Sequence, residues 1–119
     1  MSLKASNEEK KERVKCNIEV AMEAIDGKWK ILILWYLRSE KKRFNELQKS
    51  IYGITQKMLI QKLRELEQDG IVHREVYPVV PPKVEYTITK RGLKLIPVFE
   101  QLINWGLEVA TMEGAVVQT

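Results

Sequence analysis

The chain has 119 residues, 45% hydrophobic and 30% charged, the balance of one folded domain rather than of a disordered segment. Twenty Lys and Arg against 16 Asp and Glu leave a formal charge of +4, which suits a polyanionic partner where the cations gather on one face. A single cysteine and a single histidine exclude an internal disulfide framework and a zinc finger, and no apolar run reaches the roughly 20 residues that cross a bilayer.

Residues 1–12 are polar and read as a mobile tail; they lack the apolar middle of a secretory signal, which points to a cytoplasmic protein. The domain proper is expected over 13–112, with 113–119 as a loose end. Ile18, Ala21, Met22 and Ile25 recur at i, i+3, i+4, i+7 and predict a first helix, interrupted by Asp26-Gly27. Asp26 is placed to cap a second helix running to about Ser39. Its run KWKILILWYL could be a buried strand on pattern alone. It has no internal turn signal, however, and Trp29, Leu32, Ile33, Tyr36 and Leu37 form a helical stripe. With Ile31, Leu34 and Trp35 on the other side, such a helix must be covered by several neighbours.

Ser39 to Lys42 reads as a charged turn. A short third helix follows, opened by Arg43, with Phe44, Leu47 and Ile51 at i, i+3, i+7 and a stop at Tyr52-Gly53. Thr55 is a good N-cap for a fourth helix, and Ile54 before it can staple onto Leu59. That helix continues through Leu63 and Leu66 to Asp69-Gly70. Ile71 to Tyr77 is rich in β-branched residues, and Val84, Tyr86 and Ile88 alternate with Glu85, Thr87 and Thr89, which predicts two strands. PVVPPK between them stiffens a hairpin tip. Thr89 is expected to cap a long apolar helix to about Met112, kinked at an interior Pro97.

Two short helices joined by a tight turn and followed by a hairpin describe a mainly α (α+β) fold, the winged helix-turn-helix with a two-stranded wing. In that design the second helix of the pair enters the major groove. Leu59, Leu63 and Leu66 set its inward side, so Lys57, Gln61, Arg64 and Gln68 fall opposite at about 100° per residue. Thr55 and Gln56 occupy the first turn, where free N–H groups also favour phosphate. Glu65, Glu67 and Asp69 are confined to the second half. A polar outer face serves solubility as well as readout, so the cations elsewhere matter. Arg74 and Lys83 flank the wing tip, Lys90 and Arg91 follow it, and Arg43 opens the third helix; each is a candidate for phosphate. Double-stranded DNA is the partner this pattern favours. The alternative is a winged-helix module that binds protein and ignores DNA. An acidic or apolar outer face would have marked that case. No phosphate loop, nucleophile elbow or acid–base cluster beside a nucleophile is found, so no catalytic residue, metal ligand or cofactor is assigned.

Cys16, IDGKWKILIL (25–34), RFNEL (43–47), ITQKMLIQKLRELEQDGIVHREVYPVVPPKVEYTIT (54–89) and GLKLIPVFEQLINWG (92–106) together resemble the HxlR-type transcriptional regulators, relatives of the MarR proteins. The resemblance implies a homodimeric DNA-binding repressor or activator whose dimer is built from the first and last helices. Ile96, Phe99, Leu102, Ile103, Trp105, Leu107 and Val109 agree with that, being more apolar surface than a small core covers. A two-fold dimer would favour an inverted repeat with half-sites about 34 Å apart. The resemblance further implies that Cys16 responds to oxidants or electrophiles. A helix starting near Asn17, with Arg13 and Lys15 nearby, would favour the thiolate. The family often has proline where this chain has Asn17, and an earlier helix start would leave Cys16 an ordinary packing residue. Trp29, Trp35, Tyr36 and Trp105 could line an effector pocket, although aromatic residues at helical spacing usually build core.

Overall fold

The computed structural model describes residues 16–114; the expected tail at 1–12, residues 13–15 and residues 115–119 lie outside them. The order is α1 (Asn17–Ala24), α2 (Gly27–Leu37), β1 (Lys42–Arg43), α3 (Phe44–Ser50), α4 (Gln56–Gln68), β2 (Val72–Tyr77), β3 (Lys83–Ile88), α5 (Lys90–Leu93) and α6 (Ile96–Met112). Among the described residues no helix is long and apolar enough to cross a membrane.

The apolar run at 31–37 is a helix and lies at the centre, as its all-round hydrophobicity requires. Ile33, Leu34 and Leu37 are fully buried, and Ile31, Leu32, Trp35 and Tyr36 pack against the core from the flanks. Around them gather Leu47 and Ile51 of α3, Leu59, Leu63 and Leu66 of α4, Val72 and Tyr86 of the sheet, and Phe99 of α6. Each such side chain contributes about 1.5–3 kcal/mol on burial. α2 also carries Lys30 inward, 3% exposed, which hydrophobic patterning does not reveal.

Three features differ from the sequence expectations. The turn before α3 is partly a strand: Lys42 pairs with Tyr86 and Arg43 with Glu85, giving a three-stranded antiparallel sheet of order β1-β3-β2. Two residues are too few for a period to show. The long C-terminal helix is broken, since Thr89 caps only the four-residue α5, accepting from the Gly92 N–H at 3.3 Å. Pro97 then occupies the first turn of α6 instead of kinking its middle, the place where a missing N–H costs nothing. Finally, Phe99 is a core residue, 1% exposed, and so is removed from the outward apolar band to which its spacing had assigned it.

Candidate nucleic-acid interface

The outward helix, α4, is fixed at both ends. Thr55 Oγ1 accepts from the Met58 N–H at 3.1 Å, satisfying a first-turn donor. At the other end Gly70 takes φ +71°, and the Ile71 and Gly70 N–H groups donate to Leu66 O at 2.9 Å and Glu67 O at 3.0 Å. That double bond is a Schellman stop, available to glycine because of its left-handed φ. Arg91 strengthens it by donating from Nη1 to Asp69 O at 3.0 Å.

With Leu59, Leu63 and Leu66 buried, Thr55, Gln56, Lys57, Gln61, Arg64 and Gln68 are all exposed and line one open concavity along α4. Ile60 stands among them, 38% exposed. An isoleucine directly after Leu59 looks like core by hydrophobicity alone, although its place four residues after Gln56 puts it on the outer face. On a reading face, a branched apolar side chain suits a thymine methyl.

The register of the hairpin, Val72↔Ile88 through Tyr77↔Lys83, sorts its cations. Arg74 lies opposite Tyr86 on the face turned to α4 and shares a cleft with Ile60, Leu63, Arg64 and Glu67. Lys83 belongs to the other face. Its Nζ lies 3.8 Å from Glu85 Oε2 and 5.0 Å from the centre of the Tyr77 ring. Beside the wing tip, Lys83 shares a second concavity with Arg43, Phe44, Val79 and Val80. Lys41 Nζ stands 3.4 Å from Glu85 Oε1, an ionic contact without an aligned hydrogen bond. Burial alone would raise the Glu85 carboxyl, but the nearby Tyr77 hydroxyl and the Lys41 and Lys83 ammoniums outweigh it and hold the group below the usual carboxylate range.

The wing cations therefore form no single cluster. Lys90 and Arg91 sit at the hairpin base, one six-residue strand from the tip, about 20 Å at 3.3 Å per residue. Proximity in sequence had joined them to Lys83; an antiparallel hairpin carries the chain away from its tip. Arg91 is committed to the end of α4 and borders a cleft with Val20, Glu23 and Asp69.

A buried lysine behind the reading face is paired with two partly exposed carboxylates. Lys30 Nζ lies 2.9 Å from Glu65 Oε1 on α4 and 3.1 Å from Asp26 Oδ1 at the start of α2. Burial alone would push the Lys30 ammonium down; bonding to Glu65 and Asp26 outweighs it and holds it above its ordinary value. The same lysine bonds hold both carboxyls below theirs. Asp26 thus ties into this group instead of capping α2 through its side chain.

Cys16 is exposed and directly precedes α1, which begins at Asn17. Its expected neighbours Arg13 and Lys15 lie outside the described residues. On α1, Ile18, Val20 and Met22 are 63%, 54% and 60% exposed. On α6, Leu102, Trp105 and Leu107 are exposed, together with Val98 and Met112, while Ile96 packs on the core and Ile103 and Val109 are half-buried. Trp29, Trp35 and Tyr36 also pack on the core. Among the described residues no group of three or more His, Cys, Asp or Glu could hold a metal ion.

Comparison with known proteins agrees with this architecture. Residues 24–113 match the model of the HxlR-like helix-turn-helix family. The chain is 51% identical over 100 residues to the HTH-type transcriptional regulator YkvN of Bacillus subtilis, covering 84% of this chain and 85% of that one. It is 50% identical over 91 residues to an HTH-type transcriptional regulator of Methanothermobacter thermautotrophicus, covering 76% and 70%. The oxidised form of the redox regulator HypR superposes with a TM-score of 0.74 at 49% identity, covering 78% of this chain and 96% of that one. The chain belongs to the HxlR-like helix-turn-helix family, whose members are DNA-binding transcriptional regulators and not enzymes.

Proposed function

We propose that this regulator acts in the cytoplasm as a homodimeric repressor, bound to an inverted-repeat operator and released by oxidants or electrophiles through Cys16. The observation that carries DNA reading is the outer face of α4: Gln56, Lys57, Gln61 and Arg64 are exposed on a helix capped at both ends, and Glu65, the acid that lines the same concavity, is paired with Lys30. Lys57 and the first-turn N–H groups meet phosphate, Gln61, Arg64 and Ile60 meet base edges, and Arg74 reaches the backbone from the wing. Arg43 and Lys83 approach a neighbouring phosphate beside the tip. The exposed apolar faces of α1 and α6 supply the dimer contact, because apolar bands of that extent mark an interface. A two-fold pair of α4 helices then meets half-sites about one turn apart.

The sensing role rests on the likeness to a redox regulator and on the exposure of Cys16 beside the α1 dimer surface. The chain has one cysteine, so oxidation yields either a disulfide between two subunits or an adduct. A gel shift on fragments upstream of the chain's own gene tests the reading. Affinity for a bound fragment should fall steeply as salt rises and survive excess random DNA. Diamide should release the wild type and spare Cys16→Ser. Binding that ignores salt, or is equal on random DNA, contradicts the proposal.

A further inference from the structure

We propose that Glu65 and the buried Lys30 are positioning residues of the reading face, holding the Gln61 carboxamide so that it presents one acceptor and one donor to an adenine. The inference deepens the regulator reading and rests on it. Lys30 is 3% exposed, and its ammonium keeps its charge in that place only with carboxylates beside it. Glu65 Oε1, at 2.9 Å, is one of them, so the Glu65 side chain is anchored from beneath. Lys62 Nζ, 3.8 Å from the same oxygen, adds a second cation. The other oxygen, Oε2, is left to accept from Gln61 Nε2 at 3.4 Å.

An ionised carboxylate only accepts hydrogen bonds, so the amide nitrogen and not the amide oxygen must face it. The contact thereby favours one of the two amide orientations over the other. When the N–H turned away from the carbonyl is the one given to Glu65, the remaining N–H and Oε1 lie side by side. Adenine offers the complementary pair in the major groove, N7 as acceptor and N6–H2 as donor. Guanine offers two acceptors there, which an amide held in this way cannot satisfy. Without the anchor both N–H groups are free to turn toward guanine N7 and O6, so guanine is admitted beside adenine and the discrimination weakens. Specificity at one base pair would then be set by a lysine that never touches DNA.

The test selects binding sites from a randomised duplex pool with the full-length wild type, Gln61→Ala and Glu65→Gln. The wild type should require adenine at one position in each half-site, Gln61→Ala should accept any base there, and Glu65→Gln should admit guanine beside adenine. On the enriched duplex, 7-deazaadenine at that position should weaken wild-type binding roughly 5- to 150-fold and Gln61→Ala not at all. Lys30→Met should repeat the Glu65→Gln profile, and unchanged affinity of both variants for random duplex shows that they are folded. A wild-type profile with no Gln61-dependent adenine, or a Glu65→Gln profile identical to wild type, overturns the inference and leaves the regulator reading standing. A pool from which nothing is enriched overturns both.

Discussion

The guanidinium of Arg91 donates to the Asp69 carbonyl at the C-terminal end of α4, where the helix dipole favours a positive charge. That bond gives it a role in the fold, which we propose in place of a phosphate contact. Arg91→Ala should lower stability by about 1 kcal/mol in urea denaturation and leave the salt slope of DNA binding unchanged. Lys57→Ala should do the reverse, leaving stability within about 0.5 kcal/mol and reducing the slope by about 1. The Lys30 group gives a second prediction, in pH. Asp26 and Glu65 titrate below their ordinary range in the fold, so their contribution is complete above the unfolded carboxylate range, about pH 4, and is lost as pH falls through the lowered values. Lys30 titrates above its ordinary range, so its contribution is complete below the unfolded lysine value and is lost only as pH rises beyond it. Thermal melting across pH should show the midpoint falling on the acid side less steeply in Lys30→Met than in wild type.

At the scale of elements, α5 sits tightly over the hairpin base. A Cβ at Gly92 would lie 2.6 Å from Ile88 Cγ1 and 2.7 Å from the Ile71 carbonyl oxygen. Gly92→Ala should therefore cost about 1–3 kcal/mol through overpacking, measured by denaturant midpoint. On α6, neighbouring apolar residues should separate by role. Phe99→Ala should cost about 3–5 kcal/mol of stability, because it leaves a cavity in the core. Trp105→Glu, on a side chain 64% exposed, should leave the fold intact and shift sedimentation from dimer to monomer. The helix-turn-helix pair, the Thr55 cap and the hairpin were legible in sequence because each rests on a local signal: period, capping residue or β-branched alternation. Strand β1 was not legible, since two residues carry no period and its partners on β3 lie 42 and 44 residues along the chain. Nor was the division of the wing cations, which depends on hairpin register: Arg74 faces α4 while Lys83 faces Glu85. Phe99 and Trp105 share the hydrophobicity of α6, and only packing tells which is covered.

At the scale of the molecule, one surface is polar and cationic along α4 and another is apolar along α1 and α6. This division suits a dimer that presents two copies of α4 to one side of a duplex. The central claim is that the outer face of α4 enters the major groove, and dimethyl sulfate protection on a bound natural fragment tests it most directly. The reagent marks guanine N7 in the major groove and adenine N3 in the minor groove. Two patches of protected guanine N7 about 10 base pairs apart are expected, lost together in the Gln61→Ala, Arg64→Ala double variant. Protection confined to adenine N3, or guanine protection that survives the double variant, would contradict the claim.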